Sequence, residues 1–495
     1  MEQQTLDYDF DEEAIGFGEP VTPVDIAPAG LSPGEKGSLA LVGLGILSLI
    51  LQWADGPLAG TWIGLLSSMG LIAVGTALTF RFQHSGTSEG IKHDGTWFHS
   101  LTARGGLGWI AGIAMTAFYV VIYWYPHLLG EVPGEAPTGL VRVVDPLAIL
   151  MTGAPASRWF LYGVIYTFAI AVFGVRMWMK YRHNRYHQVR TLSVTFAQGL
   201  LAWILPNLLV KFQKPYMEFN GIFPLKQDYL TPSYVDYFLG AGGVGMFLLV
   251  WALALTFVAT PVLTYYFGKR WYCSWICGCG GLAETLGDPF RQLSSKSTRS
   301  WKIERYLIHS VLVLVLVMTV AVWGTSNWNW FGSFSGSLKE WYGFYIGAVF
   351  SGVVGVGFYP LLGNRVWCRF GCPQAAILGL IQRVFSRFRI TTNGGQCMSC
   401  GNCSTYCEMG IDVRAYAQRG ENIVRASCVG CGVCAAVCPR GVLKLENGLP
   451  GDRFENADQP LKALIESLQS PSIYGYEPWN SCPTDAESPP VSQDT

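Results

Sequence analysis

Charge is what this 495-residue chain has least of: Asp, Glu, Lys and Arg make up 14% of it, against roughly 25% in ordinary soluble domains. The 34 basic and 34 acidic residues cancel, so no net positive field invites nucleic acid. A basic export signal is missing too. Residues 1–36 hold nine acidic residues and one lysine, the reverse of a signal n-region. That weighs against a secreted disulfide scaffold as the use of the fourteen cysteines, thirteen of which fall into four tight groups. Metal ligation is the better reading.

Half of the residues are apolar, gathered into runs of the length that a spanning helix needs, about 20 residues. Eight such runs occur, at about 38–54, 58–80, 106–126, 158–179, 191–211, 240–267, 304–325 and 342–362. Backbone polar groups cannot go unpaired in hydrocarbon, so each run must be helical. With the N-terminus inside, the inner segments carry nineteen Lys and Arg and the outer ones six, which places both termini on the cytoplasmic side. No spanning run carries a central charge of the kind that marks an ion path, which weakens a transporter reading.

These patterns predict an all-α polytopic membrane protein with a small C-terminal α+β domain. Residues 1–36 read as an acidic disordered tail and 37–390 as the transmembrane domain. Within it, residues 373–389 mix apolar side chains with Arg383, Arg387 and Arg389 and read as a helix along the inner surface. Residues 391–446 form the cysteine-rich domain. Residues 447–495, rich in Pro, Ser, Asp and Glu, read as a disordered tail in which Cys482 is a bystander.

Cys397, Cys400, Cys403 and Cys407 share their spacing with Cys428, Cys431, Cys434 and Cys438, and Pro439 follows. This is the C-x2-C-x2-C-x3-C-P run of bacterial two-cluster ferredoxins, in which each fourth cysteine ligates the other cluster. The expected sets are Cys397, Cys400, Cys403 and Cys438 for one [4Fe–4S] cluster, and Cys428, Cys431, Cys434 and Cys407 for the second. Zinc sites more often use two C-x2-C pairs. Glu408 stands where the first repeat lacks its proline, which is expected to loosen one turn without removing a ligand.

A second repeat reads G-x-R-x-aromatic-C-x3-C. It runs from Gly268 to Cys277 and again from Gly363 to Cys372, each time after an apolar run that ends at the inner face. Cysteines at i and i+4 of a helix share one face, so Cys273 with Cys277 and Cys368 with Cys372 could each present two thiolates to one point. A third metal centre, redox-active dithiols and mere packing all remain open for them. Cys279 is an extra thiol beside the first pair.

Together these motifs make residues 240–446 resemble the NapH/NosR-type membrane polyferredoxins, which pair helix-end C-x3-C-P motifs with a C-terminal two-cluster domain. Cys368, Cys372 and Pro373 fit that motif, whereas Gly278 follows Cys277. No segment resembles the flavin domain of NosR. The resemblance implies a protein of the bacterial inner membrane that passes electrons between the quinone pool, or a cytoplasmic donor, and an external reductase subunit. A related branch resembling CcoG implies instead a metal-reducing factor for metalloenzyme assembly. Either way the chain reads as an electron carrier or oxidoreductase subunit rather than a stand-alone enzyme.

Haem is not expected. His183, His187 and His309 have no mates at matching depth, and with His84, His93 and His99 they read as interfacial residues. Glu218, Asp228 and Asp236 lie in an aromatic-rich outer loop that reads as solvated, with a quinone or partner surface as the alternative.

Overall fold

The computed structural model describes residues 31–84 and 99–448. Most of the two predicted tails, His93 and Cys482 lie outside the described residues. Among the described residues, seven helices are long and apolar enough to cross a membrane: α1 Pro33–Trp53, α2 Trp62–His84, α3 Gly106–Trp124, α4 Arg158–Lys180, α5 Arg185–Lys211, α6 Gly242–Phe267 and α7 Thr298–Trp328. The chain is a multi-pass membrane protein.

Local chemistry sets where α1 begins. Ser32 caps it by accepting from the Glu35 amide, and the Glu35 carboxylate answers the Ser32 amide, satisfying two donors that a helix start leaves free. α1 then packs on α2 through small residues. A Cβ on Gly45 would come within 2.7 Å of Ile72, and one on Gly75 within 2.8 Å of the Ser38 carbonyl. Thr79 hydrogen-bonds Ser38 at 2.9 Å across the same seam. Close backbones and polar stitches of this kind join helices in lipid, where burying apolar surface gains nothing.

The eighth apolar run is helical but not one long span. It follows α8, Phe334–Trp341, and begins as turns bonded five residues apart over Tyr342–Val354. It resumes only for Tyr359–Leu362. The amphipathic run after it forms α9, Pro373–Phe385. Its apolar face does not lie against lipid alone. Ala375, Ala376, Leu378 and Gln382 are buried in protein, while Leu380, Val384 and Phe385 stay exposed.

The segment between α6 and α7 turns back into the bundle. Gly268, at φ 67°, reverses the chain after α6 at a conformation that favours glycine. Residues 270–293 then run inside the helices. Gly278 faces Tyr166 and Gln198, and Gly281 faces Ile170 and Val194, at 3.6 Å or less from where a Cβ would stand. Tyr166 and Ile170 sit about 12 and 18 Å along α4 from its start, at 1.5 Å per residue. The segment therefore reaches the middle of that 23-residue helix.

The C-terminal domain closes with strand β1, Arg389–Thr392, antiparallel to β2, Leu443–Glu446, pairing Arg389 with Glu446 and Thr392 with Leu443. Three short helices between them, Asn402–Thr405, Val413–Gln418 and Val433–Ala436, complete a small α+β unit. The domain begins two residues earlier than the cysteine pattern alone suggested.

Candidate iron–sulfur and thiol centre

The eight cysteines of the C-terminal domain frame two small cavities. One is lined by Cys397, Cys400, Cys403 and Cys438, the other by Cys407, Cys428, Cys431 and Cys434. Each cavity thus draws three thiols from one loop and the fourth from the other repeat. Glycines at φ 81° (Gly401), 62° (Gly430) and 82° (Gly432) turn these loops tightly. Burial pushes the thiols of Cys403 and Cys428 up to about 11. Bound iron, being positive, would hold them as thiolates at neutral pH. The donor set suits a thiolate-held cluster.

The two cavities differ in surroundings. Cys400 is exposed beside Met398, which is 56% exposed. The loop of the second cavity is clamped from below, carbonyl by carbonyl. Gln382 donates to the Cys428 carbonyl at 2.9 Å, Ser274 to Val429 at 2.8 Å, Tyr186 to Gly430 at 2.8 Å and Arg190 to Cys431 at 2.5 Å. These donors come from α9, the returning segment and α5.

The helix-end pairs repeat in geometry as they do in sequence. Gly363 has φ 98° where Gly268 has 67°. In both repeats the second cysteine donates its N–H to the carbonyl of the aromatic residue five positions earlier, Cys277 to Tyr272 at 2.8 Å and Cys372 to Trp367 at 2.9 Å. That wide turn, not one α-helical face, joins the members of each pair. Both second cysteines have extended backbone and open new helices. The Arg365 guanidinium links the repeats, donating to the Cys273 carbonyl at 3.3 Å and the Cys368 sulfur at 3.5 Å. Cys273, Cys368 and Cys372 feel one another electrostatically, and Cys279 feels all four of the others. The structure thus places the five thiols in one part of the bundle.

A buried charge network lies between the clamped loop and these thiols. Asp288 pairs with Arg176 (2.6 Å), Lys180 (2.7 Å) and Arg291 (2.6 Å). Arg291 pairs with Glu408 at 2.6 Å. Arg365 pairs with Glu408 at 3.1 Å and Glu284 at 2.5 Å, and Glu284 closes on Arg190 at 2.7 Å. Five cations meet three carboxylates, and every one of these side chains is at most 4% exposed. Burying surplus positive charge is costly unless negative charge compensates it. A thiolate-ligated cluster at Cys431 would supply that charge.

A chamber of about 860 Å³ opens on the other side of the thiols. Its lining runs from residues around Thr152–Ser157, Lys226 and Asp228, near the start of α4 on the face opposite the C-terminal domain, to Cys277 and Cys279.

Comparison with known proteins agrees with this arrangement. Residues 249–297 and 345–391, each holding one C-x3-C pair, match a 4Fe-4S binding domain, and residues 396–443 match a 4Fe-4S dicluster domain. These matches and the relatives below support a NapH-type polyferredoxin. It is similar to the putative electron transport protein YccM of Escherichia coli K12, with 24% identity over 175 residues, covering 33% of this chain and 48% of that one. It is 28% identical over 151 residues to the methylamine utilization ferredoxin-type protein MauN of Methylobacillus flagellatus (29% and 50% coverage). It is 26% identical over 152 residues to the ferredoxin-type protein NapH of E. coli K12 (30% and 51%). The chain thus spans about half the length of these relatives. No solved structure matches it significantly. The chain carries two [4Fe–4S] clusters.

Sequence reasoning missed several residues of the polyferredoxin's centre. Glu408, expected only to loosen a turn, is 1% exposed and ties the dicluster domain to Arg291 and Arg365. Burial would raise its carboxyl, but those two arginines bring it down to about 2. His187 is not interfacial. It is buried and stacks on Tyr181 at 4.4 Å, which packs against Val433 of the dicluster domain. His84 is also buried, its Nδ1 2.8 Å from the Phe80 carbonyl, while His309 is half-buried. Glu218 and Asp228 are held by Lys226 at 2.5 Å and Lys339 at 2.8 Å. The signal for Glu408 was available: an acidic residue at a position where the repeat takes proline.

Proposed function

We propose that this polyferredoxin passes single electrons between a soluble partner at the Cys400 face and the far half of the membrane, where the quinone pool or a partner reductase exchanges them. Cys397, Cys400, Cys403 and Cys438 hold the outer cluster of the pair. Cys428, Cys431, Cys434 and Cys407 hold the one against the membrane bundle. Each cluster supplies one-electron storage when bound. The protein's own residues order the path: Gln382, Ser274, Tyr186 and Arg190 fix the second cluster loop beside Cys273. Cys273, Cys277, Cys368 and Cys372 then carry the electron inward as a redox site. The excess of basic residues in the segments on the domain's side supports a cytoplasmic dicluster domain in a bacterial inner membrane.

The observation that carries this reading is the clamp, which joins the clusters to the thiols through Ser274, the neighbour of Cys273. The test is anaerobic mixing of the purified, reduced protein with quinone, following the clusters by EPR. Rapid reoxidation by quinone supports the reading. Reoxidation by a soft metal ion but not by quinone would replace it with a metal-reducing assembly role.

A further inference from the structure

The interior of this protein is not charge-neutral. Among the described residues, seven Lys and Arg side chains are buried against four carboxylates. Arg369 is matched by Glu304 at 2.7 Å. The other six cations stand against Glu284, Asp288 and Glu408 alone. Five of them belong to the ion-pair network, and the sixth is Lys269. It is 1% exposed, and its ammonium meets no carboxylate among the described residues, donating instead to the Ala426 carbonyl at 3.3 Å.

This surplus gathers at one cavity. Lys269 reaches the loop two residues before Cys428, and Arg190 bonds the Cys431 carbonyl at 2.5 Å. Arg291 and Arg365 grip Glu408, the neighbour of Cys407. Cys407, Cys428 and Cys431 all line the second cavity. The first cavity has two cations in its lining, Arg414 and Arg440, and both are exposed. Water weakens a charge at the surface, whereas a buried one acts several times more strongly at the same distance. Reduction adds one negative charge to the cluster that takes the electron, so nearby unscreened positive charge favours the reduced form. Burial alone works the other way, since loss of water disfavours the more highly charged state. The uncompensated cations outweigh it, because they carry a desolvation cost of their own that the added negative charge relieves.

We propose that the buried cation surplus gives the cluster of Cys407, Cys428, Cys431 and Cys434 the higher reduction potential of the two, with Lys269 and Arg190 as potential-setting residues. For its direction this rests on the electron-transfer reading above: an electron entering at the Cys400 face settles in the cluster beside the bundle. The order of the potentials is an equilibrium property and holds or fails whichever acceptor lies beyond the thiols.

The test is an anaerobic redox titration of the full cluster-loaded protein, followed by EPR with and without a soluble lanthanide chelate. The chelate speeds relaxation of the cluster nearer the solvent and so tells the two signals apart. In wild type the chelate-insensitive signal should appear first. Lys269→Met should lower the ratio of reduced to oxidised cluster at that site about tenfold at a fixed potential, the effect of one poorly screened unit charge. Lys269→Arg should restore it. Reduction of the chelate-sensitive cluster first, or of both together, overturns the proposal. So does a Lys269→Met signal that broadens without moving its midpoint, which would make Lys269 merely structural, or an equal shift of both clusters. If Lys269→Met loses its clusters, the wild-type order alone decides. The expected order without reoxidation by quinone would uphold the order of potentials and break the electron-transfer reading instead.

Discussion

The Ser274 hydroxyl donates to the Val429 carbonyl at 2.8 Å, and this bond joins the neighbour of Cys273 to the neighbour of Cys428. Two parts of the chain 155 residues apart in sequence thereby place a cluster loop directly over the helix-end thiols. Ser274 is fully buried, so the Val429 carbonyl has no water to take its place. Ser274→Ala should cost about 1–3 kcal/mol for a buried acceptor left unpaired. Electron transfer from clusters to thiols should slow while both EPR signals persist, and flash-reduction kinetics followed at the clusters measures this.

Crossed ligation separates the two cavities by single residues. Cys403→Ser should abolish the cluster framed with Cys397, Cys400 and Cys438, and Cys407→Ser the one framed with Cys428, Cys431 and Cys434. Iron should fall from about eight to about four per chain in each, with different residual spectra. Identical residual spectra would mean that the cavities do not sort the ligands as drawn.

Glu408→Gln removes one carboxylate from a buried network already rich in cations. Breaking a buried ion pair from one side costs about 3–5 kcal/mol. The dicluster domain should become susceptible to proteolysis at its junction with the bundle, and the thermal midpoint should drop. An unchanged midpoint would mean that Arg291 and Arg365 find other partners.

Gly363 sits at φ 98°, and a Cβ there would stand 2.4 Å from the Ser294 hydroxyl and 2.8 Å from its amide. Gly363→Ala should cost about 1–3 kcal/mol of backbone strain and displace Arg365, two residues on, from Cys273 and Cys368. Urea denaturation measures the first effect, and alkylation of Cys368 with cluster EPR as a control measures the second.

Much of this was legible in the sequence, for identifiable reasons. Apolar runs of spanning length located α1–α7, with starts up to six residues late as at α5 and α7, because lipid allows no other backbone solution. The cysteine spacing gave the dicluster domain because a cubane fixes its ligand spacing. The returning segment was not legible. Arg190, Arg291 and Arg365 look like inner-loop basic residues until their partners Glu284, Asp288 and Glu408 are folded against them, and no local pattern announces a pair 117 residues apart such as Arg291 with Glu408. The C-x3-C pairs were misjudged in geometry. Spacing of four reads as one helical face, but the turn that closes at Tyr272 and Trp367 is one residue wider. The eighth run was apolar enough to read as a span, yet its helix stops at Val354 and resumes only at Tyr359.

The most direct test of the account is electron passage through the thiol site in proteoliposomes. Clusters on outward-facing dicluster domains are reduced, and a membrane-impermeant oxidant is confined to the lumen. The account predicts that wild type reoxidises its clusters, and that Cys368→Ser and Cys372→Ser keep both clusters spectroscopically intact but stay reduced. Equal reoxidation in wild type and both variants would contradict it, as electrons would then cross without the helix-end cysteines.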